Sequence, residues 1–308
     1  MSNEQRTELF RAPVKLRMTG DMIAFNIISY VYIVFFACIC LLPFLMILSG
    51  SFTAEESIFK DGYRIIPAKF SLEAYNLLLK SPDSLINSYV VTFIITIAGT
   101  ALGLFCTSMT AYVLYRRDFP WRNQFAFFFF FTTLFSGGLV PWYTLIVRYL
   151  RLKDNPAVLI LPGLFSVFYI LIMRNFMKSI PDALIESAKI DGAGDFLMFR
   201  KIILPLSVPA LATIGLFIAL NYWNEWFNTM LFIDSRKYFP LQYYLYSVLN
   251  SMQFAALAAE KANVPLPQMP TQSYKLVMTV AATGPIIFAY PFVQRYFIRG
   301  ITIGAVKG

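Results

Sequence analysis

The sequence predicts an all-α membrane protein that crosses the bilayer six times and carries a short polar docking segment between its fourth and fifth spans. Of its 308 residues, 58% are hydrophobic and only 14% are charged, whereas soluble domains carry charge on about a quarter of positions. The apolar residues also gather into six long runs, and roughly 20 such residues are what a helix needs to cross the hydrocarbon layer. A third observation sets the organisation: residues 179–205, SIPDALIESAKIDGAGDFLMFRKIILP, are polar enough to lie outside the membrane between two of those runs.

Residues 1–21 form a polar, basic head bearing Arg6, Arg11, Lys15 and Arg17. The run at 22–48 is too long for a signal-peptide core and lacks a small-residue cleavage pattern behind it, so it reads as a first span, with Pro43 as a place to bend. Residues 50–84 are a polar excursion with little periodicity. The second span, 85–114, contains Gly99 and Gly103, a small-xxx-small pair that allows close helix contact. Arg116, Arg117 and Arg122 crowd the short loop that follows. A third span, 125–147, is interrupted by Ser136-Gly137-Gly138 and Pro141. Backbone groups freed there need protein or a watery cavity, which makes the break either a pathway element or a packing kink. The fourth span is 156–173 and the fifth 206–233. Residues 234–275 read as a long polar loop, and the sixth span is 276–294. Residues 22–299 are thus one six-span membrane domain, and 300–308 are a tail.

Composition excludes several chemistries. Histidine is absent, and Cys38, Cys40 and Cys106 all lie inside apolar runs, where they read as buried small hydrophobes rather than a metal or disulfide framework. No G-x-x-x-x-G-K-[ST] phosphate loop and no nucleophile–base set occur, so neither nucleotide binding in that manner nor catalysis is expected, and no cofactor. The net charge of +9 is spread over the loops between apolar runs, as the positive-inside tendency produces, and does not point to nucleic acid.

Within the docking segment, Ser179 and Asp182 have capping-box spacing, and Pro181 suits a helix start. Leu184, Ile185 and Ala188 fall near one helical face. Asp191-Gly192-Ala193-Gly194 ends that helix, because glycine adopts positive φ at little cost. Asp195 is placed to cap a second short helix, which Pro205 stops or bends.

The run Glu186-Ser187-Ala188, then Gly192, then Ile202, Leu204 and Pro205 resembles the EAA loop of permease subunits of ATP-binding-cassette (ABC) importers, with every spacing met and Ser187 standing where the pattern has Ala. Asp191-Gly192-Ala193 and the ending from Gly300 to Gly308 look more narrowly like carbohydrate importers of the maltose-permease type. The SGGLVP and WNEWFN stretches look like the complex-oligosaccharide branch found in many Gram-positive bacteria. The likeness covers nearly the whole chain after residue 20. It implies a type I importer permease fold in the bacterial cell membrane, with both termini cytoplasmic. The partners it implies are a second permease, two cytoplasmic ATPase subunits, an extracellular substrate-binding lipoprotein and an oligosaccharide substrate. By the same resemblance, Glu186, Ser187, Ala188, Asp191, Gly192 and Ala193 form the coupling element, Glu186 pairs with a base of the ATPase, and Gly304, Ala305, Val306 and Lys307 reach the ATPase; a frayed end is the plainer reading of that tail. Charge supports this orientation only modestly, because Arg148, Arg151 and Lys153 sit in a short outer loop against it.

In the fifth span, Asn221, Asn224, Glu225 and Asn228 are spaced by three and four, so a continuous helix would align them on one face, with Trp223 and Trp226 beside them. Carboxamides and a carboxylate suit sugar hydroxyls, and indole rings suit the apolar faces of pyranoses. This face, with Trp223, is the expected lining of a sugar path; the competing reading is helix-to-helix glue and an aromatic belt. A self-sufficient secondary transporter would instead show an internal repeat and further intramembrane acids, and no clear halves are visible.

Overall fold

The computed structural model describes residues 20–80, 82–262 and 270–305. Among them the chain is helical, with only an isolated antiparallel bridge between Thr53 and Phe70. The basic head up to residue 19, and Val306 and Lys307 of the tail, lie outside the described residues.

Helix α1 (Gly20–Ser51) is apolar along its length and almost wholly exposed, including Cys38 and Cys40. Those two cysteines are therefore not buried, because α1 packs chiefly against the last helix and turns the rest of its surface outward. Two short helices follow, α2 (Glu55–Asp61) and α3 (Glu73–Leu78). Next, α4 (Pro82–Tyr115) runs 34 residues without a break. It touches three separate apolar clusters: Leu85 in the first, Ile95 in the second, and Ala111, Tyr112, Leu114 and Tyr115 in the third.

The third apolar run is broken as its glycines predict. Helix α5 (Arg122–Leu134) and the segment α6 (Leu139–Tyr149) meet at 114°, with Gly138 at φ 82° in the region that favours glycine. The fourth run starts as tight 3-10 turns (Pro156–Gly163) and continues as α7 (Val167–Met177), bent by 44°. The docking segment forms α8 (Asp182–Ile190) and α9 (Asp195–Leu206), the latter wound wider over Phe199–Ile203. After an 82° bend at Ser207, α10 (Val208–Trp223) begins. A break at residues 224–226 precedes α11 (Phe227–Phe232). The expected polar loop then proves to hold a 22-residue helix, α12 (Leu241–Ala262), and α13 (Thr271–Ala305) closes the chain. Gly304 and Ala305 thus belong to the end of a helix. Helices α1 and α4 are individually long and apolar enough to cross a membrane, and three bent pairs reach that length together.

Two contacts explain how these pieces hold. The α4–α10 seam is the most extensive in the fold. A Cβ on Gly99 would sit 2.5 Å from the Tyr222 ring, and one on Gly163 would lie 2.8 Å from the Tyr222 hydroxyl. That hydroxyl donates to the Ile160 carbonyl at 2.8 Å, so one aromatic side chain joins three segments through two positions where no side chain fits. Lipid provides no hydrophobic drive between helices, so such close approach is the main source of adhesion. The second contact is a cap made from a distance. The buried Glu55 carboxylate accepts from the backbone N–H of Gln272 and Ser273 and from the Thr271 and Ser273 hydroxyls, satisfying the N-terminus of α13.

Replacing Gly99 with Ala should lower the stability of the purified chain by about 1–3 kcal/mol, the range for overpacking a filled contact. Thermal unfolding in detergent measures it, and the same change at Gly284, where a Cβ meets nothing within 4 Å, is the control.

Candidate functional site

The docking segment is built on a buried cation. Arg116, at the end of α4, is only 8% exposed. Its guanidinium forks onto Asp118, with the Nε contact at 2.7 Å, pairs with Asp195 of α9 at 2.6 Å, and donates to the Tyr112 hydroxyl at 2.8 Å. Asp118 also accepts from Lys189 of α8 at 3.1 Å. Arg117 pairs with Asp182 at 2.6 Å, and the Tyr115 hydroxyl donates to the same carboxylate at 3.2 Å. A charge this far from water is tolerated only where it is paired and hydrogen-bonded, and Arg116 has three partners. The loop after α4 is thereby tied to both helices of the docking segment.

Apolar packing completes the attachment. Ile185 and Ala188, on the inner face of α8, are buried in a cluster with Tyr112, Met177, Met198 and Phe199. The outer face stays open: Glu186 and Ser187 are exposed, Ile190 is 86% exposed, and Leu184, Phe196 and Leu197 are also exposed. Among the described residues, Glu186 makes no ion pair, whereas Asp182 and Lys189 of the same helix do. Gly192 lies at φ 79° and ends the helix, and the Ala193 N–H donates back to the Ala188 carbonyl at 2.9 Å.

The helix start differs from expectation. Pro181 is the N-cap, without a side-chain hydrogen bond, and the Ser179 hydroxyl turns back to donate to the Phe176 carbonyl at 2.7 Å. Asp182 is drawn instead to Arg117 and Tyr115, so charge pairing across the fold displaces the local capping box. Asp195 similarly opens α9 as its first residue, with Gly194 before it, and its carboxylate goes to Arg116.

The polar stretch of the fifth span also departs from one continuous helical face, because α10 ends at Trp223. Both carboxylate oxygens of Glu225 are occupied by Asn228, through its backbone N–H at 2.8 Å and its Nδ2 at 2.9 Å, and this holds the start of α11. Trp223 is buried, its indole donating to the Ala282 carbonyl at 3.0 Å. Asn221 and Asn224 are exposed; Asn221 donates to the Tyr169 hydroxyl at 3.2 Å, and Asn224 accepts from Gln242 of α12 at 3.2 Å. Trp226 is exposed and lies 5.5 Å from the Tyr246 ring, centroid to centroid. Beside these residues runs a groove of about 350 Å³ between α12 and α13, whose polar lining is Gln242, Tyr246, Lys275, Thr279 and Thr283. Sequence reasoning missed this wall. Lys275, Thr279 and Thr283 recur every four residues in an apolar setting, which is the signal that could have found it.

Comparison with known proteins decides the class. The profile of the family described as "Binding-protein-dependent transport system inner membrane component" matches residues 116–303, which include the whole docking segment and both polar walls. The chain belongs to this family. The polygalacturonan/rhamnogalacturonan transport system permease protein YtcP of Bacillus subtilis (strain 168) is 39% identical over 287 residues, covering 92% of this chain and 98% of its own. Protein LplC of the same organism is 38% identical, covering 92% and 95%. Among solved structures, a bacterial ABC transporter involved in the import of the acidic polysaccharide alginate has a chain that matches with a TM-score of 0.75 and 29% identity, over 93% of this chain and 100% of that one. This chain is accordingly the membrane permease component of an ABC importer of sugars or oligosaccharides.

The Arg116 node gives the permease a pH signature. The Arg116 guanidinium, and after it Lys189, holds the Asp118 carboxyl well below the usual carboxylate range. A carboxyl with a depressed folded value contributes stability above its ordinary range and loses it as pH falls through the folded value. Asp118→Asn should therefore be less stable than the parent at pH 7, with the gap closing only below about pH 4. Unfolding midpoints of both proteins between pH 7 and pH 3 measure this.

Proposed function

We propose that α8 is the coupling helix of the importer: a cytoplasmic ATPase seats on its open face, and Glu186 is the charged anchor of that contact. The observation that carries this reading is the asymmetry of the helix. Its inner face is fixed by the buried Ile185 and Ala188 and by charge pairs through Asp182 and Lys189, while its outer face presents Glu186, which has no ion pair among the described residues, within exposed apolar side chains. Contiguous exposed apolar side chains mark a protein contact, and a charge set among them gives that contact a specific partner and register. Ser187 is small enough to let a partner approach, and Asp191, Gly192 and Ala193 form the elbow that lays α8 across the cleft.

In this reading the chain crosses the cell membrane six times, with α13 as the sixth span and both termini in the cytoplasm. It pairs with a second permease, receives oligosaccharide from an extracellular binding lipoprotein, and exposes the pathway alternately to either side as two ATPase subunits close on ATP. The tail at Gly304, Ala305, Val306 and Lys307 reaches those subunits. Replacing Glu186 with Arg should reduce co-purification of the ATPase and sugar-stimulated ATP hydrolysis at least about tenfold, the loss expected of one charged hydrogen-bonded contact made repulsive. Gly192→Val, which forces a branched residue to positive φ at about 1–2 kcal/mol, should weaken the same contact. Membrane insertion should be unchanged in both, and full ATPase association in both variants would refute the docking role.

We infer further that the sugar path runs along Asn221, Asn224 and Trp226 and onto the groove of Gln242, Tyr246 and Lys275. Glu225 and Asn228 shape the break that opens this wall, and Trp223 anchors it from behind. Two relatives carry names that state polygalacturonan and alginate transport, and the Lys275 ammonium suits a carboxylate-bearing sugar. Lys275→Gln should slow uptake of acidic oligosaccharide in the assembled transporter more than uptake of a neutral one of equal length, whereas Asn224→Ala should slow both. Equal effects of Lys275→Gln on both sugars would remove its selective role.

A further inference from the structure

A second polar cavity, about 340 Å³, opens beside the docking segment where α5, α7 and α8 converge. Its charged lining is Arg117, Arg122, Arg174, Lys178 and Asp182, with Asn123 beside them. Four cations thus face one carboxylate, and that carboxylate is taken by Arg117 and Tyr115. Among the described residues, Arg122, Arg174 and Lys178 form no ion pair. Arg122 and Arg174 are both half-buried, and Arg122 lies close enough to Arg174 to repel its charge. The Arg174 guanidinium is not free to swing away, because its Nε donates to the Leu114 carbonyl at 3.0 Å. Like charges held together and partly removed from water are costly unless a counter-ion joins them. The arrangement asks for an anion with several acceptor oxygens, which a phosphate supplies.

The surroundings select the kind of phosphate. Trp121, which precedes the cavity-lining Arg122 at the start of α5, is 60% exposed and of the type that settles at the level of lipid headgroups. From Arg122 onward, α5 has no buried residue and presents Phe125, Phe127, Phe128 and Phe131 outward. A headgroup-level cation cluster that leads into an exposed phenylalanine stripe matches a molecule with an anionic head and apolar tails. We propose that this cavity binds an anionic phospholipid, its phosphate held by Arg122, Arg174 and Lys178 and its acyl chains lying along α5. The contact would brace the loop between Arg116 and Arg122 against α7, next to the ion-paired node but without using it.

The full-length chain, purified in neutral detergent, is mixed with phosphatidylglycerol or phosphatidylcholine and examined by native mass spectrometry. Phosphatidylglycerol should be retained in preference to phosphatidylcholine. The double variant Arg122→Gln/Lys178→Gln should lose at least about tenfold in that retention, as expected when charged hydrogen bonds are removed. The charge-conserving variant Arg122→Lys/Lys178→Arg should keep it, which separates binding from damage to the fold. Arg151→Gln/Lys153→Gln, in a loop elsewhere, should leave it unchanged. Equal retention of the two lipids, or equal retention by the glutamine variant and the parent, would overturn the proposal. Displacement of the lipid by millimolar inorganic phosphate would assign the cavity to a soluble anion and overturn the lipid assignment. So would release of the lipid on adding the partner ATPase with acidic side chains taking its place.

Discussion

The structure depends most on how Arg116 is kept out of water. It sits at the end of α4, a 34-residue unbroken helix that reaches all three apolar clusters, and its three partners come from that helix, from the loop after it and from the second helix of the docking segment. Removing any one partner leaves a desolvated charge short of compensation, which is costly in a way that losing a surface pair is not. The exposed pair between Arg117 and Asp182 contributes at most about 1 kcal/mol by itself. It becomes effective because the buried node has already fixed the loop from which Arg117 projects. The segment is thus clamped by a hierarchy, with one buried cation at its base and weaker pairs and apolar contacts layered over it.

That clamp matters because of what α4 touches elsewhere. The same helix carries the Arg116 node at one end, receives Tyr222 at Gly99 in its middle, and begins in the cluster that holds α12 and α13. In the proposed coupling role, a displacement of α8 would reach α10 along a seam without slack, since a side chain at Gly99 or Gly163 would already collide with Tyr222. Beyond Tyr222 the chain changes character. Trp223 is anchored to α13, and the backbone then leaves the helix at Asn224. Stiffness ends where the polar wall begins.

Much of this was legible in the sequence where the determinants are local. The apolar runs marked the helices, Gly138 marked the turn in the third run, and Gly192 marked the elbow after α8. What escaped was set by residues far apart in the chain. The capping box at Ser179 obeys local rules, yet Asp182 is claimed by Arg117 and Tyr115, which lie more than 60 residues away. The cap of α13 comes from Glu55, over 200 residues distant, and no spacing rule could assign it. The end of α10 was hidden because residues 221–228 contain neither glycine nor proline. Trp223 reaching for Ala282 and Glu225 turning onto Asn228 outweigh a helical pattern that is sound on its own terms. Helix α12 was read as loop because its polar and apolar positions mix, and it is stabilised by packing on α4 and α13 rather than by a clean stripe.

The contrast between the two polar regions has a physical logic. Around Arg116 the polar groups are charged, multiply bonded and shielded, so each is strongly committed to one geometry. Along Asn221, Asn224, Gln242 and Thr279 they are neutral, at least partly exposed and held by uncharged hydrogen bonds that water or a hydroxyl can replace at little net cost. A surface that must hold a sugar briefly and release it cannot present deeply paired charges, because stripping water from them would trap or exclude the ligand. A surface that must pass on force cannot be built from exchangeable contacts, because they would slip. If the proposed roles hold, the chain separates the two demands along α4 and α10, committing its buried charge to the α8 end and leaving interchangeable donors and acceptors at the break.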